Sequence, residues 1–168
     1  MILTLLKRAF QMLTLLALQI LILNHVSFWG IGTPMIGVLL LAYLPMNTSH
    51  TATMIWGFLM GLITDIFANT PGMGSAAMTL TALLHSFLLH LQAPKDAPEN
   101  MVPTYHTMGT WNHIRFVFTL FLTHHFVYFV LESFSCDHII QTAIHFLASL
   151  LTSLSLAYAL ETLRTSHK

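Results

Sequence analysis

Hydrophobic residues along this chain gather in six long runs, separated by short polar or irregular segments. A spanning helix needs about 20 mostly apolar residues, and most of the runs approach that length. The second run is short, and Gly30, Gly32 and Pro34 make its start irregular, so that it either begins nearer Phe28 or does not fully span the membrane. We therefore predict an all-α, polytopic membrane protein of about six transmembrane helices that forms a single domain over residues 1–168. The six runs cover residues 9–26, 33–44, 51–67, 74–91, 114–133 and 138–160.

The composition points to lipid as the main solvent of the chain. Of its 168 residues, 55% are hydrophobic and only 7% are charged, whereas soluble domains carry about 25% charged residues. The mean hydropathy is +0.73. Such a chain cannot cover a water-exposed surface, which excludes a soluble enzyme or nucleic-acid-binding protein. The net charge is zero without a basic patch, so nucleic acid is not an expected partner.

The Lys and Arg residues predict the orientation of the six runs. With the N-terminus in the cytoplasm, six crossings place all of them on the cytoplasmic side, as the positive-inside rule requires. We therefore expect an inner-membrane protein with both termini cytoplasmic. The segment 92–111, which holds three prolines, becomes a cytoplasmic loop. The first run has no small-residue cleavage site after it and is predicted to be a retained anchor. The cations are Lys7, Arg8, Lys95, Arg115, Arg164 and Lys168.

Small and polar residues recur every four positions in the third run. Thr53, Gly57, Gly61, Asp65 and Asn69 lie in one row on a helix. Gly57 and Gly61 form a GxxxG pattern, which lets another helix approach closely. The commoner use of this pattern is packing within the chain. The alternative is a groove for the helix of a partner.

Asp65 is costly to bury in a membrane and should face protein or water. The chain is predicted to turn at Asn69, Thr70, Pro71 and Gly72. Thr70 is the expected N-cap and Pro71 the expected first residue of the next helix. Free amides at that helix start would then hydrogen-bond to the Asp65 carboxylate. A contact with a polar group of a partner is the competing role.

Polar residues also line one face of the last two runs. His124, Tyr128 and Glu132 share a face of the fifth run, and Gln141 and His145 share one in the sixth. We predict that these residues turn inward and form a polar seam with the third run. In the sixth run we also expect small residues to pack against another helix of the chain. These are Ser149, Ser153 and Ala157.

The chemistry of a catalytic or metal site is not recognisable in the sequence. The eleven histidines lack a spacing that favours a metal centre, and an unpaired intramembrane His more often hydrogen-bonds a neighbouring helix. A proton relay through His124, Tyr128 and Glu132 lacks a basic partner. No phosphate-binding loop, nucleophile elbow or HExxH motif appears. We therefore expect no enzymatic activity, no metal and no cofactor.

The stretch GFLMGLITDIFANTPGMGSAAMTL, which begins at Gly57, resembles the signature of the rod shape-determining protein MreD family. Three further segments are similar to the same family: LKRAFQMLTLLALQILILNH, APKDAPENMVPTYHTMGT and HHFVYFVLESFS. The high histidine count, the short second run and the position of Cys136 depart from the family pattern.

This resemblance implies a non-catalytic scaffold of the cell-elongation (rod) complex that maintains cell shape. Its expected partners are a single-span, MreC-like protein, a RodA-type synthase and its penicillin-binding transpeptidase, with MreB filaments reached indirectly. The implied fold is similar to the substrate-binding subunits of energy-coupling vitamin transporters. That similarity supports an alternative function as a small-molecule-binding membrane subunit of such a transporter. A small-molecule-binding subunit would need a ligand-sized outward pocket with converging polar groups. A scaffold would need an open groove of helix width.

Overall fold

The computed structural model describes residues 2–25, 32–70, 72–133 and 139–166, and the regular structure in these segments is helical. Two 3-10 turns, Leu23–His25 and Ile36–Val38, accompany the α-helices. The helices are α1 (Ile2–Leu21), α2 (Leu39–Ala42), α3 (His50–Ala68), α4 (Met73–Gln92), α5 (Tyr105–Met108), α6 (Thr110–Glu132) and α7 (Ile139–Ser166).

Among the helices of the described segments, four are long and apolar enough to span a membrane: α3, α4, α6 and, over Ile139–Arg164, α7. They match the last four predicted runs to within a few residues, which agrees with a multi-pass membrane protein. The first run corresponds to α1, which begins well before the predicted start and includes Lys7 and Arg8. Its predicted end, Val26, lies outside the described residues.

The second predicted run is a buried core segment over its described part. Its helical residues are the turn Ile36–Val38 and α2, seven residues in all. At about 1.5 Å per residue this piece is far shorter than the roughly 30 Å hydrocarbon core. All seven residues are buried, with α1, α3, α6 and α7 packed around them. Hydrophobicity predicted a spanning helix here because protein core and lipid favour the same apolar side chains.

Gln19 of α1 stabilises the irregular backbone that leads into this core segment. Its Nε2 donates to the carbonyl of Pro34 at 2.9 Å, and its Oε1 accepts from the amide of Ile36 at 2.9 Å. Gln19 is only 6% exposed. Non-helical backbone at membrane depth is tolerated only where protein satisfies its polar groups, and this side chain provides that.

Two serines of α7 support the same backbone from the other side. The hydroxyl of Ser149 accepts from the amide of Thr33 at 3.1 Å, and that of Ser153 accepts from the amide of Met35 at 2.8 Å. Ser153 also lies 3.0 Å from Nε2 of His125 on α6. Ser149, Ser153 and Ala157 are all buried. The prediction that this row packs against another helix of the chain is confirmed for Ser153, which meets His125 of α6, whereas Ser149 contacts the irregular backbone before α2.

The described cations collect at one end of the helical bundle. Arg8 donates to Thr48, just before α3, at 3.2 Å. Lys95 follows the end of α4, Arg115 lies in the first turns of α6, and Arg164 lies in the last turn of α7. Because consecutive spanning helices run in opposite directions, these helix ends lie on the same side. The opposite end holds the last turn of α3 and the first turns of α4 and α7.

Candidate functional site

The glycine row of α3 packs against α4 of the same chain. A Cβ added at Gly61 would lie 2.5 Å from the Cα of Ser75 and 2.6 Å from the carbonyl oxygen of Gly74. One added at Gly57 would lie 2.9 Å from the carbonyl oxygen of Met78. The two helices therefore touch backbone to backbone, and α4 occupies the surface that a partner helix would need. Of the two predicted roles, the contacts match packing within the chain.

Asp65 joins the end of α3 to the start of α4. Its Oδ1 accepts from the Thr70 hydroxyl at 2.9 Å and from the Gly74 amide at 2.8 Å. Its Oδ2 accepts from the Ser75 amide at 2.8 Å. The side chain is buried, with Asp65 5% exposed. Its charge is stabilised by three donors and by the positive end of the helix dipole.

The predicted N-cap of α4 was wrong. The helix begins at Met73, and its N-cap is Gly72, which has a φ of 84°. Thr70 instead hydrogen-bonds to Asp65, and Pro71 lies outside the described residues. Asn69 is the left-handed C-cap of α3, with a φ of 56°. A side-chain cap at the helix start is dispensable because Asp65 already accepts the hydrogen bonds of two free amides.

A cavity of about 720 Å³ opens beside Asp65, at the end of the bundle opposite the cations. Residues from α1, α3, α4, α6 and α7 line it, together with the irregular segment before α2. Most of the predicted polar seam meets here. The seam residues in the lining are Asp65, His124, Tyr128, Glu132 and His145. Gln141 does not join them, because it is exposed on the first turn of α7.

His124 is one of the buried polar side chains of the cavity wall. It is 4% exposed, and its Nδ1 has no hydrogen-bond partner among the described residues. The ring lies near the backbone of Ala77 in α4.

His125, next in sequence, has a structural role instead. Its Nδ1 lies 2.8 Å from the Phe121 carbonyl, and its Nε2 lies 3.0 Å from the hydroxyl of Ser153. The ring therefore donates to its own helix and accepts from α7. This bond joins α6 to the serine that supports Met35, so His125 and Ser153 together hold one wall of the cavity in place.

A second polar cluster, at the cationic end, was not predicted. Glu161 is 3% exposed and lies 3.4 Å from Arg164 and 3.5 Å from Nε2 of His113. The Arg164 guanidinium lies 4.1 Å from the ring centre of Tyr43. The ring of Tyr105 contacts that of His113 edge to face, at 4.4 Å between centres.

This cluster ties the end of α7 to the start of α6 and to α5. Burial raises the pKa of the Tyr105 hydroxyl, which packs beside it. The sixth predicted run ended at residue 160, so Glu161 was placed beyond the membrane and not considered as a buried group. Its i, i+3 spacing to Arg164 was the one available signal of a pair.

Comparisons with known proteins do not assign the chain to a family. It matches no protein-family model, and no curated protein or solved structure matches it. Within the described part of the chain, no group of three or more His, Cys, Asp or Glu side chains could hold a metal ion. The site is therefore defined by its own geometry: a capped helix pair beside a polar cavity.

Proposed function

We propose that this protein is an MreD-like, non-catalytic scaffold of the bacterial cell-elongation machinery. In this role it binds a single-span, MreC-like protein and helps to couple MreB filaments to a RodA-type synthase and its penicillin-binding transpeptidase. The observation that carries the proposal is the stretch from Gly57 onward, GFLMGLITDIFANTPGMGSAAMTL. The contacts around it explain physically why such a signature would be needed.

The described glycines and the aspartate of that stretch hold one helix pair together. Gly57 and Gly61 bring α3 and α4 together, and Asp65 caps α4 through Gly74 and Ser75. A pair locked in this way holds its outer faces in a fixed geometry. A scaffold needs that property, because a partner bound to a flexible surface would lose more entropy on docking.

The proposed orientation places the cationic end of the bundle in the cytoplasm of an inner membrane. Its support is the collection of Arg8, Lys95, Arg115 and Arg164 at one end, which is the side that the positive-inside rule assigns to the cytoplasm. The polar cavity then faces the extracytoplasmic side, where an MreC-like protein carries its soluble domain.

The proposed partner helix contacts an outward face and not the glycine row, because α4 covers that row. Among the four candidate spanning helices, α7 and α3 bury the smallest shares of their apolar stretches within the chain. Only 22% of the most apolar stretch of α7 and 28% of that of α3 is buried within the chain. Leu151 on α7 and Ile66 on α3 are 67% and 69% exposed.

Co-purification with cross-linking tests this function. The full-length protein would be purified in mild detergent from cells that also express a tagged MreC-like protein. Photo-cross-linking residues would replace Leu151, Ile66 or Phe126, a third outward residue, on α6. We expect the partner to co-purify and to cross-link from one helix face more strongly than from the others. No co-purification, or equal weak labelling from all three positions, would refute the scaffold role.

A second candidate function is the small-molecule-binding subunit of a vitamin-type transporter. The cavity favours it, because its volume of about 720 Å³ is within the usual range of ligand sites and polar groups converge on it. The phenotype of cells that lack the protein distinguishes the two functions. Loss of rod shape with normal uptake of nutrients supports the scaffold, whereas the reverse supports the transporter subunit.

A further inference from the structure

We infer that the cavity beside Asp65 binds a small organic cation, an ammonium group attached to an apolar body. The inference concerns the isolated chain and goes beyond the scaffold role. It starts from the charges in the wall. Asp65 and Glu132 contribute two carboxylates, and the described lining contains no Lys or Arg. The charged groups that the described lining offers to a ligand are therefore carboxylates.

The two carboxylates are not equivalent. Asp65 already accepts three hydrogen bonds from the start of α4, so it supplies mainly its charge. Glu132 is exposed at the last turn of α6 and accepts no hydrogen bond from a described residue. It also lies near enough to His145 to interact electrostatically. Glu132 is therefore the carboxylate that can hydrogen-bond directly to a ligand.

His124 is the second, independent observation. Its Nδ1 is buried and has no hydrogen-bond partner in the described chain, so the wall contains a polar group that the chain itself leaves unsatisfied. An ammonium group carries up to three N–H donors and no acceptor. A donor-rich cation can hydrogen-bond to Glu132 and complements the charge of the wall, whereas a carboxylate or phosphate ligand would oppose that charge.

The rest of the wall is largely apolar and therefore favours a ligand with an apolar body. Met35, Val38, Met60, Phe67 and Phe129 contribute side chains to the lining. Ligand pockets are commonly apolar with a few placed polar groups, and their volumes run from about 300 to 1,000 Å³. Aromatic rings near a bound cation add attraction through their faces.

Equilibrium dialysis tests the inference on the full-length protein in nanodiscs of zwitterionic lipid, with empty nanodiscs as the background. The probes are 2-phenylethylamine and hexylamine, both ammonium ions at neutral pH. Their controls are 2-phenylethanol, which is neutral, and 3-phenylpropionate, which is an anion. We expect at least one amine to bind saturably at one site per chain, at least about tenfold more tightly than either control, because a charge-assisted hydrogen bond is lost with them.

Two variants and two matched controls locate the binding site. Glu132→Gln removes the accessible charge and should weaken amine binding about tenfold. Ala68→Trp fills the exposed mouth of the cavity without entering the core and should abolish binding. Glu99→Gln, in the exposed loop at the other end, and Ile55→Trp, on the outer face of α3, should bind normally.

The outcomes decide the inference separately from the scaffold role, because no partner protein is present. It is overturned if neither amine binds saturably, or if the alcohol binds as tightly as the amine. It is also overturned if Ala68→Trp retains full binding. A loss of binding in Glu132→Gln and Ala68→Trp, with both controls intact, establishes a cation site in this cavity.

Discussion

The amide of Gly74 donates a 2.8 Å hydrogen bond to Oδ1 of Asp65, so a side chain near the end of α3 caps the start of α4. The added Cβ of any other residue at position 74 would lie 2.6 Å from that same oxygen. The short hydrogen bond therefore depends on the lack of a side chain at position 74. Asp65 can reach the free amides of the next helix only because the residue it meets is glycine.

Replacing Asp65 tests this cap. Asp65→Asn keeps the shape but loses the charge, and its NH2 group faces an amide donor where a carboxylate oxygen accepted. We expect the free energy of unfolding to fall by about 1.5–3 kcal/mol, the value of a hydrogen bond to a charged group. The measurement is the melting temperature of the purified protein in detergent. Asp96→Asn, an exposed carboxylate in the loop after α4, is the matched control.

An unchanged melting temperature for Asp65→Asn, together with loss of the MreC-like partner on co-purification, would assign Asp65 to partner binding. If both stay unchanged, Asp65 has neither role.

The glycine contacts predict a graded effect of added methyl groups. In an ordinary helix Gly→Ala is stabilising by about 1 kcal/mol. Gly61→Ala should instead destabilise by about 3 kcal/mol, because the methyl group would meet backbone at 2.5 Å. Gly57→Ala, with its nearest contact at 2.9 Å, should cost less. Thermal unfolding in detergent gives the order of stability of the variants. Ala76→Leu, on the exposed face of α4, is the control for added bulk. Equal stability of all three variants would contradict close helix contact.

Ser153 is predicted to stabilise the protein by hydrogen bonding as well as by its small size. Ser153→Ala preserves the space but leaves the Met35 amide and Nε2 of His125 without their partner. We expect a loss of about 1–3 kcal/mol for the unsatisfied groups, and a larger loss for Ser153→Leu. Ser155→Ala is the control, since Ser155 is exposed and bonds only to its own helix. If Ser153→Ala melts at the wild-type temperature, the serine acts only as a spacer.

Glu161 should stabilise the cationic end of the bundle. Glu161→Gln removes the charge that faces Arg164 and His113. Breaking a fully buried pair costs about 3–5 kcal/mol. The Arg164 side chain is 26% exposed, so water compensates part of the loss and about 1–3 kcal/mol is expected. Unfolding of Glu161→Gln would be compared with that of Glu99→Gln, which removes an exposed charge.

The orientation of the bundle is open to a labelling test. In a Cys136→Ser background, a cysteine at residue 68 should react with a membrane-impermeant maleimide added outside the cell. A cysteine at residue 99 should react only after the cells are permeabilised, because it lies at the cationic end. The native Cys136, which lies outside the described residues, is predicted to behave like residue 68. Labelling of residues 68 and 99 from the same side would refute the topology.

The sequence by itself determined the four long helices and their polar faces. Their apolar runs are long, and turn residues interrupt them at the right places, so local chemistry is sufficient. It also placed Asp65 beside the free amides of the next helix. That prediction succeeded because the two groups are only nine residues apart and a turn must bring them together.

Tertiary structure alone decided which apolar segment meets lipid and which meets protein. Residues 36–42 are as hydrophobic as a spanning helix, yet they form the core, because other helices surround them and Gln19, Ser149 and Ser153 satisfy the backbone that leads into them. Likewise, the GxxxG pattern predicts a close helix contact but does not identify which helix makes it. The cavity, too, depends on side chains from five helices, and only their packing brings Glu132, His145 and the unpaired nitrogen of His124 to the same space.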